Sequence, residues 1–284
     1  MNATFPKRHH FNAEMLSRRF ADGNGRLFFF DKRFRAKGVL ATTPQNLFCE
    51  THLYTVRDKH GALDVGLEHL YAELEGHASA IIEKIVTSAR HGYTPKLTTA
   101  EREIWDFFFY NQWKRVPDFQ RQFLETEKFD FALNEARATF EARFRPLTED
   151  EERNLQNPQW LKRIKQNAMV QALRVPSHKS LAVLNAKGLL IAVIPKPTKS
   201  FIIGSFPVVK LAHPGHEHPA DPTVEIWLPV SHDVAVTPAP CPPTEERIVE
   251  IQNSQIRTVN AAIFKQSTAI AGRSRALIAS LAKL

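Results

Sequence analysis

The order of patterns along the 284 residues predicts an α+β fold. Three observations carry it. Apolar residues recur every three or four positions through the early and middle chain, short apolar runs bounded by turn residues follow Pro176, and a helical pattern closes the sequence. Strands are segregated from helices without regular alternation, which disfavours a doubly wound sheet. The expectation is a helical N-terminal and middle part packed with a mostly antiparallel sheet from the C-terminal third, closed by a C-terminal helix. All of it forms one domain, 1–284, whose natural subdivision is a mainly helical 1–176 and a β-rich 177–284 with the C-terminal helix.

Asn12 to Ala21 reads as a short amphipathic helix on Met15, Leu16 and Phe20, with Asn12 placed to cap it. Leu27 to Phe30 is an aromatic run that reads as a strand, and 38–57 as irregular chain with short extended pieces. From Val65, the residues Leu67, Leu70, Tyr71, Leu74, Ala78, Ile81, Ile82 and Ile85 make one helical stripe. Thr98 and Glu101 form a capping box for a second helix carrying Trp105, Phe108, Phe109 and Trp113, which Pro117 stops at Val116. Further helices are predicted at about 118–127 and 130–144, and one long helix opens at Thr148. Leu181 to Leu184 and Leu189 to Ile194 read as a hairpin about a turn at 185–188. Short strands follow at 201–203, 207–210, 224–228 and 232–236, Thr237 to Pro243 reads as a linker, and a helical pattern runs from about Glu245 to Lys283 with a break near Asn253 or Gly272.

Composition narrows the function classes. Leu189 to Pro195 is the longest uncharged apolar stretch, too short to span a bilayer, and the start of the chain is polar and basic, so neither a membrane segment nor a secretory signal is expected. Cys49 and Cys241 have no paired spacing, which suggests neither a disulfide framework nor a thiolate metal site and makes a reducing cytoplasm the expected location. The net charge is +8, and residues 1–60 hold most of the excess, with 11 basic against 5 acidic side chains. Such clustering concentrates anions, so nucleic acid is a partner to consider beside a merely solvated basic surface; Lys7, Arg8, Arg18, Lys32, Arg33 and Arg35 are the contacts it would use. No glycine-rich phosphate loop, GxSxG elbow or HExxH is present, which disfavours the common nucleotide-binding, α/β-hydrolase and zincin classes.

Four potential metal ligands, His213, His216, His218 and Asp221, fall within nine residues and suit a divalent ion. Pro214, Pro219 and Pro222 around them favour a solvated loop instead. Elsewhere Glu68 and Glu75 lie seven residues apart on one helix face, about 10 Å along its axis. Arg115 ends the aromatic helix, where it serves either as a cap or as the partner of a carboxylate. His9 and His10, behind Lys7 and Arg8, have the titration range for general acid–base work, with a surface role as the alternative.

The segments HHFNAEMLSRRFAD (9–22), GRLFFFDK (25–32), QNLFCETHLYT (45–55), EHLYAELEGHA (68–78), FFFYNQWKRVPDFQ (107–120), FIIGSFPVV (201–209) and WLPVSHDVAVTP (227–238) resemble, in order, the bacterial family called domain of unknown function 4238. The resemblance singles out His10, Arg18, Arg19, Phe20, Glu75, Arg115 and Pro207. It also marks two departures: Ala13 stands where such proteins usually carry proline, and Gly204-Ser205-Phe206-Pro207 stands where they carry SerAspAsnPro. Ser205 thus replaces an aspartate, which either removes a chemical group or leaves a turn that serine can also shape.

Two readings follow. In the first, the chain is a cytoplasmic hydrolase of nucleic acid, a toxin- or defence-type nuclease, in which His10 and Glu75 handle protons, Arg19 and Arg115 steady developing charge, and Ser205 lies in the same site, with or without a divalent metal. In the second, the chain is a noncatalytic nucleic-acid or protein binding module, and the same residues form a buried network that pins the N-terminal segment to the helices. Both require that side chains from the amino end to the late β region meet in one polar pocket.

Overall fold

The computed structural model describes residues 7–58, 60–123 and 126–284. Near the amino end, β1 (Arg8–His10) pairs antiparallel with β4 (Cys49–Thr51), and α1 (Glu14–Arg18) lies between β1 and β2 (Leu27–Asp31). Asn12 does not cap α1. Its Nδ2 donates to Gly204 O at 3.0 Å, and Ala13 takes the cap position without a side-chain bond. After β2 come a 3₁₀ segment, Lys32–Lys37, then β3 (Leu40–Thr42), a 3₁₀ turn at Pro44–Asn46, β5 (Val56–Arg57) and β6 (Leu63–Asp64).

The expected stripes form α2 (Gly66–Arg90) and α3 (Thr99–Lys114), the latter opened by the Thr98–Glu101 capping box. These two helices pack on each other and bury Ile81, Ile82, Ile85, Trp105, Phe108 and Phe109. Pro117 begins a new helix, α4 (Pro117–Phe123), followed by α5 (Thr126–Arg143). The single helix expected from Thr148 is two, α6 (Glu149–Gln156) and α7 (Pro158–Arg174). Proline suits the first turn of a helix and not its interior, and Asn157 Oδ1 accepts from Gln159 N at 2.9 Å to cap the second piece.

The expected hairpin at 181–194 is not formed. Residues 178–185 are helix α8 (His178–Asn185), capped by Ser177 and packed on α3; only the second half becomes a strand, β7 (Gly188–Val193). A four-residue apolar run has too little length for its period to distinguish strand from helix. The linker predicted at 237–243 is also revised, because β11 (Val234–Ala239) runs through Thr237 and Pro238 with all six residues buried. Pro238 lies beyond Val236, which is β11's last partner on β10 (Glu225–Pro229), so on that flank its missing N–H leaves no ladder bond unmade. The terminal pattern at 245–283 contains strands as well as helices: β12 (Glu246–Glu250), α9 (Asn253–Gln266), β13 (Ala269–Gly272) and α10 (Arg275–Leu281). Asn253 begins α9 and Gly272 ends β13, and a further break at 267–268 separates α9 from β13.

With β8 (Ile203–Gly204) and β9 (Val209–Leu211), the strands make a five-stranded sheet in the order β12-β7-β11-β10-β9, antiparallel except at β12–β7. A four-stranded sheet, β3-β2-β13-β8, is antiparallel throughout and sets β2 from the amino end against β13 from the carboxyl end. Helix α9 packs against β8, β9 and β13, and α10 against β2 and β13. The architecture is α+β, as the segregation of patterns predicted. Among the described residues no helix is long and apolar enough to cross a membrane.

Candidate functional site

Strand alternation decides which histidine enters the core. Successive side chains on β1 point to opposite faces, so His9 turns inward with Phe11 while Arg8 and His10 face the Pro44–Asn46 turn. His10 Nε2 lies 3.2 Å from Gln45 O, and Arg8 donates to Gln45 O and to Asn46 Oδ1, each at 3.1 Å. His9 is fully buried. Its Nδ1 accepts from the Tyr54 amide at 3.0 Å, so the 3.7 Å approach of Glu68 Oε2 to that same nitrogen is not an ion pair. The expected place of His10 is therefore corrected to His9.

Around His9 a polar network closes over Arg115, whose side chain is wholly sealed. Arg115 Nη2 donates to Glu75 Oε1 at 2.5 Å, Nε donates to Phe11 O at 3.1 Å, and the guanidinium lies 4.7 Å above the Tyr71 ring. The Arg115 carbonyl accepts from Tyr54 Oη at 3.1 Å and from Gln120 Nε2 at 3.0 Å. Burial lowers the affinity of Arg115 for its proton, but the Glu75 carboxylate together with Tyr54 and Tyr71 outweighs it and holds the cation. Burial pushes the Glu68 carboxyl up to about 7, with Arg115 opposing the rise and Glu75 adding to it. Glu68 Oε2 and Tyr71 Oη are buried without a hydrogen-bond partner. Chemically the cluster can exchange a proton at neutral pH, at Glu68, but its cation faces inward.

Ser205 belongs to a second cluster. A side chain on Gly204 would collide with Ser267 Oγ, so glycine lets β8 approach that residue closely and delivers Ser205 next to α4 and β13. Ser205 Oγ donates to Asp118 Oδ2 and accepts from the amides of Thr268 at 3.0 Å and Ala269 at 3.1 Å. Asp118 also accepts from Thr268 N at 3.0 Å and from Arg121 Nη1 at 2.9 Å. The serine at the aspartate position thus bonds a carboxylate supplied by another segment, three residues after Arg115.

Two cavities border β4. The larger, about 650 Å³, is lined by Arg57, Trp160, Lys162, Arg163, Gln166 and residues 50–53. Helix α7 is fastened to this wall, because Asn167 accepts from Arg57 N at 3.0 Å and donates to Arg57 O at 2.7 Å. Arg163 stacks 3.7 Å above the Trp160 ring. Among the described residues, no carboxylate lies within ion-pair distance of Arg57, Lys162 or Arg163. The smaller cavity, about 370 Å³, is walled by Phe11, Phe29, Leu47 and Phe48, with Arg33, Arg121, Asp118 and Ser205 around it. Glu50 lines both cavities, and the two together are the groove along β4.

The family model described as protein of unknown function (DUF4238) matches residues 8–276. The chain belongs to this family. No curated protein and no solved structure matches it.

For this member of the family, the predicted site residues divide among separate places. Arg115 and Glu75 meet, as the pocket required. Arg19 does not join them; its Nη1 pairs with Glu83 at 2.8 Å. Ser205 is held by Asp118, and His10 by the 44–46 turn. Of the basic set, Arg33 lines the groove in a pair with Asp31, and Arg8 bonds Asn46 and Cys49 on its wall. Lys7 is exposed, and its carbonyl accepts from His52 N at 2.8 Å. Arg18 pairs with Glu14 at 2.6 Å, Lys32 donates to Phe264 O, and Arg35 is exposed on the 3₁₀ segment. The loop of His213, His216, His218 and Asp221 does not gather into a metal site: His216 bonds Asp221 at 2.9 Å, His218 Nδ1 accepts from Ala220 N, and among the described residues no group of three or more His, Cys, Asp or Glu could hold a metal. Sequence reasoning missed Trp160, Lys162 and Arg163, whose closeness on α7 was the available signal, and Arg57 on β5 and Asp118 on α4, for which there was none.

Proposed function

We propose that the chain is a nucleic-acid-binding protein whose ligand lies in the groove along β4. The observation that carries this reading is the trio Arg57, Lys162 and Arg163, cations that have no carboxylate partner among the described residues, in a cavity of about 650 Å³, one of them stacked on an indole. Unneutralised cations beside an aromatic face suit a phosphate backbone and its bases. The network at Arg115 supports the noncatalytic form of the reading, since a guanidinium sealed from solvent and bonded to Glu75 and Phe11 O has no face for a phosphate. Fluorescence anisotropy with labelled RNA and DNA at low salt tests it. Binding is expected, weakened at least about tenfold in Arg57→Ala/Lys162→Ala/Arg163→Ala. Trp160 emission should change on binding, because Trp105, Trp113 and Trp227 are buried. No binding of any strand at low salt would remove the proposal.

A second reading, hydrolysis of the bound strand, is favoured by Glu68, whose carboxyl balances near neutrality beside the His9 ring. Its test is cleavage of labelled RNA and DNA with and without divalent metal. Cleavage abolished by Glu68→Gln sustains it; intact substrate under every condition discards it.

A further inference from the structure

We propose that the smaller cavity accepts one unpaired nucleobase, so that the groove selects single strands over duplexes; this rests on the nucleic-acid reading above and adds the class of strand. The lining sets Phe11, Phe29, Leu47 and Phe48 beside polar side chains, among them Asn46, Glu50 and Arg121 and the paired Asp31–Arg33 and Asp118–Ser205. An aromatic-walled space of about 370 Å³ suits one planar heterocycle and cannot admit a base pair with its two backbones.

Two features connect this pocket with the cation-lined cavity. Glu50 borders both, so the pocket adjoins the cavity in which a backbone would rest on Arg57, Lys162 and Arg163. Second, the strip between them is held in a costly conformation. Among the described residues, three that are not glycine have a positive φ, and two of those, Phe48 at 54° and His52 at 56°, bracket β4. Bulky side chains rarely adopt that region, and such strain persists where the surroundings impose it, most often at ligand sites. At Phe48 the strained backbone sets a ring in the pocket wall.

The charges of the pocket point to a base and not to a second phosphate. Arg33 is held by Asp31 and Arg121 by Asp118, at 2.7 and 2.9 Å, so both guanidinium groups are already neutralised. Glu50 lies 3.9 Å from Arg121, with its side chain 42% exposed, and retains acceptor capacity at the mouth. A carboxylate there accepts from an exocyclic amino group, as on cytosine, and meets the O4 acceptor at the corresponding position of uracil or thymine.

Anisotropy titrations of the full chain with short single-stranded RNA, single-stranded DNA and the matching duplex decide the point. Single strands of either sugar should bind about tenfold or more tighter than the duplex. Phe29→Ala should lose about tenfold for single strands and nothing for the duplex, and Glu50→Gln should erase a preference for oligocytidine over oligouridine. Glu50 is a partly exposed side chain, so the second variant remains informative if the first fails to fold. Equal affinity for duplex and single strands, or a folded Phe29→Ala with unchanged affinities and no base preference to erase, overturns the base pocket while leaving nucleic-acid binding standing. Absence of binding to all three ligands overturns both.

Discussion

Arg115 and Arg163 are both stacked on an aromatic ring, yet they belong to regions built for opposite ends. At Arg115 the side chain is sealed, with Glu75 and the Phe11 carbonyl taking its donors and Tyr71 beneath it. At Arg163 the guanidinium lies over Trp160 in an open groove, beside two more cations and, among the described residues, with no carboxylate within ion-pair distance. The same stacking therefore fixes structure in one region and presents charge in the other. What separates them is the counter-ion and the access of water, not the residue type.

The largest effect should come from breaking the sealed region. Arg115→Ala leaves Glu75 without its cation and the Phe11 carbonyl without its donor, and losing one partner of a buried pair costs on the order of 3–5 kcal/mol. Denaturant unfolding should show this loss, while the folded fraction keeps its affinity for nucleic acid. A stable variant that no longer binds would transfer Arg115 to the functional side of the comparison.

Glu68 sharpens the same contrast through pH. Its native carboxyl titrates at about 7, above the ordinary value of 4.5, so the native state binds the proton more tightly than the unfolded chain. The resulting stabilisation is present in full below the unfolded value and is lost as pH rises through about 7, where the buried carboxylate must be carried. With solvent screening at its partly open side, the loss should be on the order of 2 kcal/mol between about pH 4.5 and about pH 7.5. Glu68→Gln should flatten that segment of the stability profile. An unchanged slope in the variant would place the proton elsewhere.

Smaller effects belong to Ser205, and here the limits of sequence reading become physical. Long stripes such as Leu67 to Ile85 declare α2 because a helix repeats its apolar face over many turns. Short elements carry no such redundancy: residues 181–184 and 269–272 are four-residue apolar runs, and packing on α3 makes the first helix while pairing with β2 makes the second strand. The candidate site divides in the same way. Arg115 and Glu75 were legible because each sits at a defined point of a helix, whereas His9 over His10 depends on the register of β1, where a shift of one residue reverses every side chain. For Ser205 the sequence leaves open a lost chemical group or a local turn, and its bond to Asp118 spans 87 positions, which no local pattern reveals. Ser205→Ala should cost about 1–2 kcal/mol in thermal or denaturant unfolding, because the Ala269 amide loses its acceptor while Asp118 keeps Thr268 and Arg121. A loss below a few tenths would mean that water replaces the hydroxyl.

The least effect on stability, and the greatest on binding, is expected in the open region. Arg57, Lys162 and Arg163 meet no carboxylate, so replacing all three by alanine breaks no described ion pair and leaves only the Trp160 stacking to lose. Unfolding free energy should move by no more than about 1 kcal/mol in either direction, the stack contributing most of it. The salt dependence of binding should change far more. Each phosphate contact contributes about 0.7 to the logarithmic slope for a single strand, so removing three should flatten it by about 2. A weakened affinity with an unaltered slope would assign the three side chains to something other than phosphate contact. A loss of stability like that of Arg115→Ala would erase the distinction between the sealed and the open arginine altogether.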